Sequence, residues 1–255
     1  MKFIAKVVSL SILIAVFLKA DGFSQCQQVL FSFSGETIVE GAYGQRLSSA
    51  GDVNNDGFND VLISALAYGT LQDSGRVYVF SGQTGETLDV FSGETEGESF
   101  GWSIAAAGDV NNDGFDDVLV GAIYHDGVGV DAGRAYVYSG QTGEPLYVFN
   151  GQAYQDHFGS AVSTAGDVNN DGYADMVISA PLHDGVGRVY VYSGATGGVL
   201  YILDGVGLGD HFGGSVSSAG DINQDGYSDI IIGSWGFDTE LPFVGRALVI
   251  SGQDG

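Results

Sequence analysis

Apolar residues along this chain fall in short runs separated by glycine-rich polar segments. "GRVYVF", "GRAYVY" and "GRVYVY" alternate with a period of two, the spacing of a strand with one face turned inward. "DDVLVGA" is a continuous apolar run of strand length, as expected where both faces are covered. After the first 24 residues no segment carries the 3.6-residue spacing of a helix. The runs also recur in a fixed order. A small-residue strand such as "SIAAAGDV" is followed by an acidic loop, an apolar strand, a glycine-rich connection, an alternating strand such as "GRAYVYSG", a "QTGE" turn and a last strand such as "PLYVFNG". Four short strands with turn signals between them predict one small antiparallel sheet per unit, so the chain is predicted to be all-β.

The acidic loop begins at Asp52, Asp109, Asp167 and Asp221, spacings of 57, 58 and 54 residues, and about eight residues before each stands an aromatic-glycine pair: Tyr43-Gly44, Phe100-Gly101, Phe158-Gly159 and Phe212-Gly213. Repeats are expected at about 41–93, 98–151, 156–204 and 210–255. A lone four-stranded sheet cannot bury both faces, so the units are expected to stack face to face as propeller blades. The segment "QVLFSFSGETIVEGAYG" resembles a fourth strand with its following loop, and the chain stops at "GRALVISGQDG", just after a third strand. Two arrangements stay open: the N-terminal strand completes the last blade and closes the ring, or the four units belong to a larger ring.

The first 24 residues are set apart. Lys2 and Lys6 precede an apolar run from Val7 to Leu18, the pattern of a secretory signal peptide too short to span a bilayer, with cleavage expected near Ser24. The mature part, 25–255, is then a single propeller domain on the outside of the cell. It holds one cysteine, Cys26, so it cannot rely on internal disulfides. Losing Lys2, Lys6, Lys19 and Asp21 shifts the formal charge from −24 to −26 and leaves five arginines as the only cations. Arg76, Arg134, Arg188 and Arg246 occupy one repeat position, which predicts a structural partner within each unit. Such a charge repels polyanions, so nucleic acid and anionic membranes are excluded as partners. Calcium is the partner it invites.

The loop "DVNNDGFND" resembles the start of an EF-hand, but the twelfth position, where an EF-hand places a bidentate Glu, is Ile63. The loop still offers oxygens at positions one, three, five and nine and a main-chain carbonyl at seven. The predicted ligands are Asp52, Asn54, Asp56, the carbonyl of Phe58 and Asp60; Asp109, Asn111, Asp113, Phe115 and Asp117; Asp167, Asn169, Asp171, Tyr173 and Asp175; and Asp221, Asn223, Asp225, Tyr227 and Asp229. Glycine at position six (Gly57, Gly114, Gly172, Gly226) permits the turn. Three carboxylates within nine residues repel one another without a cation, and a cage of hard oxygens suits Ca2+ better than the half-hydrated Mg2+ octahedron. About four structural calcium ions are expected, one per repeat.

Strand parity puts the calcium loops and the "QTGE" turns on one face of the array. The opposite face receives His125, His157, His183, His211 and Trp235. A sharper reading makes that face a ligand or second-metal site; the plainer one, preferred for the histidines, makes them solvated loop positions copied from blade to blade. Trp235 suits an interface or sugar surface. Tyr78 and Tyr136 are expected in the core between blades.

The aromatic-glycine pairs, the D-x-N-x-D-G-x-x-D loops and the apolar strand after each resemble the FG-GAP repeat, the unit of the integrin α-subunit propeller and of many secreted bacterial proteins. The resemblance covers about Gly41 to Gly255. The "GAP" element itself survives as Ser179-Ala180-Pro181, with "SAL", "GAI" and "GSW" in the other copies. It implies a β-propeller of FG-GAP blades, seven of them in integrins, and a secreted binding or adhesion module for an extracellular protein or glycan. No catalytic motif is present: no G-x-S-x-G, H-E-x-x-H or phosphate loop. The chain is thus read as a binder and not an enzyme. The alternative is an accessory propeller of a secreted hydrolase, lyase or phospholipase whose catalytic part lies elsewhere.

Overall fold

The computed structural model describes residues 29–35, 41–67, 74–237 and 244–255. The leader at 1–24, Cys26 and part of the connection after Trp235 lie outside them. The chain divides into two units, Met1–Phe33 and Ser34–Gly255. In the described part of the first, the rings of Phe31 and Phe33 lie 6.1 Å apart.

Among its described residues the second unit forms four antiparallel sheets with every strand beside its sequence neighbour. The first sheet is β1 (Gly41–Gly51), β2 (Asp60–Ala67), β3 (Arg76–Phe80) and β4 (Thr87–Ser92). The second is β5 (Phe100–Gly108), β6 (Asp117–Ala122), β7 (Arg134–Tyr138) and β8 (Pro145–Asn150). The third is β9 (Val162–Gly166), β10 (Asp175–Ala180), β11 (Arg188–Tyr192) and β12 (Val199–Asp204). The fourth is β13 (Phe212–Gly220), β14 (Asp229–Ser234) and β15 (Arg246–Ile250). The strands follow the expected order in each sheet, and the fourth sheet holds three of the four expected strands among the described residues.

Stacking explains the apolar patterns. First strands pack on one another in succession, β5 on β1, β9 on β5 and β13 on β9. Both faces of an inner sheet are thus covered, and every residue of β6 and β10 is buried. The core lies between consecutive sheets: Leu119 and Val137 of the second meet Phe158, Met176, Ile178 and Tyr190 of the third. Tyr136 and Tyr190 are 1% exposed. Burying each such side chain contributes about 2–3 kcal/mol. Tyr136 is core as expected; Tyr78 is half-buried, edge-on to Tyr43 at 5.6 Å.

The aromatic-glycine pairs clasp one sheet to the last. Phe100 is fully buried, and its N–H donates to the Ser74 carbonyl of the preceding sheet's connection at 2.8 Å. Gly101 follows in a left-handed conformation, φ +87°, at a register shift between Phe100 and Ser103. A Cβ there would lie 2.9 Å from Val77 Cγ2 and 3.1 Å from Ser64 Cβ. Glycine answers both demands. Gly101→Ala is expected to lower stability by about 2–4 kcal/mol from left-handed strain plus crowding. Urea unfolding checks it, and a loss under about 0.5 kcal/mol, the ordinary surface-substitution range, would contradict the clasp.

The arginine position holds structural partners. Arg134 Nη1 reaches Glu94 Oε2 at 2.7 Å and its Nε donates to Asn150; Arg188 pairs with Asp204; Arg246 lies 3.9 Å over the Phe237 ring. Residues 29–35 adopt no strand, Val29 and Leu30 are 76% and 75% exposed, and β13–β15 has no fourth strand among the described residues.

Candidate metal loops

Each predicted loop joins the first strand of a sheet to the second. Its geometry repeats four times. Asp52 Oδ1 and Asn54 Oδ1 both accept the Asp56 N–H at 2.9 Å, so positions one and three are drawn onto one point. Asp52 Oδ2 takes the Gly57 N–H at 2.8 Å, and Asp56 Oδ1 takes that of Phe58 at 2.9 Å. The same bonds recur for Asp109, Asn111 and Asp113, for Asp167, Asn169 and Asp171, and for Asp221, Asn223 and Asp225. In the last two loops the Asn169 and Asn223 amides also donate to Asp171 and Asp225. The carbonyl-bearing residues Phe58, Phe115, Tyr173 and Tyr227 sit in the turn, tied through their N–H groups to position five.

The turn takes two left-handed residues. Position six is glycine, as predicted, with φ from +87° to +93°. Position four is left-handed as well: Asn55 φ +54°, Asn112 +57°, Asn170 +56° and Gln224 +62°. Asparagine tolerates that region, so the second Asn of "NND" was a legible signal.

The ninth-position carboxylates stand apart at the base of the loop, at most 2% exposed. Asp60 accepts the N–H of Val53 at 3.0 Å and of Gly82, in the β3–β4 turn, at 2.9 Å. Asp117 does so with Val110 and Gly140, Asp175 with Val168 and Gly194, and Asp229 with Ile222 and Gly252. Position nine therefore ties the loop to the "QTGE"-type turn, confirming that the two share a face. Burial pushes Asp117 up to about 7 and Asp175 up to about 6, against the lowering by their two N–H donors. The other two carboxylates of each loop add to the rise.

Among the described residues, no three His, Cys, Asp or Glu side chains gather into a metal-holding group by themselves. The donor chemistry of the loops nevertheless fits calcium: every donor is a hard oxygen, and each carboxylate has lone pairs beyond those its N–H partners use. A divalent cation would offset both the mutual repulsion of the three acids and the burial of the ninth.

Loops also bond to their neighbours. The Asp52 carbonyl accepts the Asp116 N–H at 3.1 Å, Asp109 that of Ala174 at 3.2 Å and Asp167 that of Ser228 at 2.9 Å. Position eight of the second, third and fourth loops is thus hung from position one of the loop before, and at the first of these junctions the Asp116 carboxylate also accepts the Asp52 N–H at 2.8 Å.

On the opposite face, His125 and His183 are not solvated loop positions. They are 4% and 6% exposed and face buried acids: His125 Nε2 lies 3.6 Å from Glu98 Oε2, and His183 Nδ1 lies 3.0 Å from Asp156 Oδ2. Burial raises Glu98 and, with Arg134 second, lowers His125. Glu98, Asp156 and Asp210 each stand two residues before an aromatic-glycine pair and cap the N–H groups of the loop leading into it. That regular acid was a signal the sequence reading passed over. His157 is edge-on to Tyr124 at 5.3 Å, and His211 stacks on Trp235 at 4.0 Å. Trp235 is 60% exposed.

The FG-GAP repeat family matches residues 158–192 and 212–250, and the FG-GAP-like repeat family matches residues 52–120. Integrin alpha-5 of Xenopus laevis is 34% identical over 193 residues, covering 69% of this chain and 18% of the relative. Integrin alpha-6 of Gallus gallus is 40% identical over 156 residues, covering 57% of this chain and 14% of the relative. The chain thus spans less than a fifth of the length of the curated relatives it matches. A rhamnogalacturonan lyase, YesW, aligns at a TM-score of 0.48 and 14% identity over 82% of this chain and 43% of its own.

Proposed function

Since this chain belongs to the FG-GAP repeat family, we propose that its β-propeller blades form a calcium-stapled binding and adhesion module that acts outside the cell on a protein or glycan. The observation that carries this is the integrin α likeness, 34% identity over 69% of the chain, together with four loops of one geometry. Calcium is structural in this reading. Asp52, Asn54, Asp56, the Phe58 carbonyl and Asp60 hold one ion, and the equivalent residues of the other loops hold one each. The metal supplies charge balance and a cross-link, with no chemical step. Described residues contain no helix long and apolar enough to cross a membrane.

The ligand surface is the face opposite the loops, where the buried acid–His pairs brace the connections and the exposed Trp235–His211 stack offers a flat aromatic contact. The full chain in calcium is expected to bind saturably to at least one of a panel of immobilised extracellular-matrix proteins and glycans. Trp235→Ala should weaken that binding about tenfold or more, as loss of a central aromatic does. Retention by no member of the panel, or full retention by Trp235→Ala, would contradict this reading.

A further inference from the structure

The three interfaces between consecutive sheets share one fourth-strand position at which the first departs from the other two. On the fourth strand, the residue paired with Val137 is Tyr147 and the residue paired with Val191 is Tyr201. Each ring reaches into the next sheet. Tyr147 donates its hydroxyl to the Gly194 carbonyl at 2.7 Å and lies against Gly197; Tyr201 donates to the Gly252 carbonyl at 2.6 Å and lies against Gly255. In the first sheet the equivalent residue, paired with Val79, is Asp89.

Asp89 is too short for the slot. Its carboxylate reaches Gly143, the counterpart of Gly197 and Gly255, and Oδ1 accepts the Val90 N–H at 2.7 Å. Beyond it lies a half-open cleft of about 340 Å3, walled by Val53, Leu88, Phe91 and Phe115 and reaching Gly140. Gly140 is the counterpart of Gly194 and Gly252, and among the described residues no tyrosine hydroxyl donates to its carbonyl. The volume is within the range of small-ligand sites. An apolar wall faced by the polar side chains of Asn54, Ser139, Gln141 and Thr142, with a main-chain acceptor and one carboxylate, is left where the other interfaces hold a phenol. No arginine lines the cleft, in a chain of formal charge −24.

We propose that this cleft between the first and second sheets is a binding site for a small aromatic cation. Its ring lies in the cleft beyond the Asp89 carboxylate, a hydrogen-bond donor on the ring meets the Gly140 carbonyl, and its ammonium pairs with Asp89. The site stands on the comparison of interfaces within this chain and is independent of the adhesion reading. Asn54 and Phe115 of the calcium loops border it, so the test is made with the full chain in excess calcium.

Tyramine, a phenol carrying an ammonium, is the probe. Titration followed by calorimetry and by heteronuclear NMR is expected to show saturable 1:1 binding, with shifts centred on Asp89, Gly140 and Gly143. p-Cresol, which lacks the cation, should bind about tenfold more weakly, the size of a charge-assisted hydrogen bond, and 4-hydroxyphenylacetate should not bind. Asp89→Tyr should fill the slot and abolish binding; Asp89→Asn, which keeps the size, should weaken tyramine to the level of p-cresol. No saturation by tyramine, equal binding of tyramine and the acid, or undiminished binding by both variants would overturn the site.

Discussion

Chelation is expected to unfold the stacked sheets or to lower their melting temperature by about 20–40 °C. A site filled at a hundred times its dissociation constant stabilises the folded chain by about 2.7 kcal/mol, so four loops contribute about 11 kcal/mol. That is of the order of the whole stability of a domain, about 5–15 kcal/mol. For an array of this size each kilocalorie moves the midpoint by about 2–4 °C. The sign follows from the carboxylates. Twelve aspartates lie at positions one, five and nine of the loops, and removing the cation leaves each loop's three to repel, the ninth one buried. Thermal unfolding of the full chain in calcium and in excess EDTA measures this. A shift under about 5 °C, about 1–2.5 kcal/mol for all four loops together, would mean that the loops hold their shape by N–H bonds alone.

Asp117→Ala is expected to cost about 3–5 kcal/mol even in EDTA, and more in calcium, where it also removes a ligand. The substitution removes the acceptor of two N–H groups, those of Val110 and Gly140, each 3.0 Å from its carboxylate, and a buried donor left unsatisfied costs about 1–3 kcal/mol. The loop also loses its tie to the β7–β8 turn. Asp113→Ala makes the contrast. It lies at the loop mouth, gives up one bond to Phe115 N–H, and should cost about 1 kcal/mol in EDTA but two to three times that in calcium. Urea midpoints of both variants in both conditions decide the matter. Equal losses in EDTA would contradict a structural role for position nine that is separate from its role toward metal.

Much of this molecule was legible because its information repeats. Four copies of one loop and alternating strand patterns set out the repeated units and the order of their strands, and strand parity put loops and hairpin turns on one face, as the Asp60–Gly82 bond shows. Tyr136 could be assigned to the core from alternation alone. What escaped depended on contacts between units. The bonds from Ala174 N–H to the Asp109 carbonyl and from Ser228 N–H to the Asp167 carbonyl are made by main chain, and no side chain announces them. His125 and His183 look like polar loop residues until the buried Glu98 and Asp156 are seen beside them. The segment "QVLFSFSGETIVEGAYG" resembles a fourth strand, but its residues 29–35 adopt none. Asp89 reads as an ordinary solvent-facing residue of a fourth strand. Only the phenols of Tyr147 and Tyr201 in the neighbouring interfaces show what its position lacks.

The central claim is that each loop is a calcium staple, and counting the ions tests it most directly. Native mass spectrometry of the full chain, exchanged into volatile buffer with calcium, should show four bound ions, falling to three when Asp109 and Asp113 are both changed to Ala. A chain that stays folded and carries none would contradict the account.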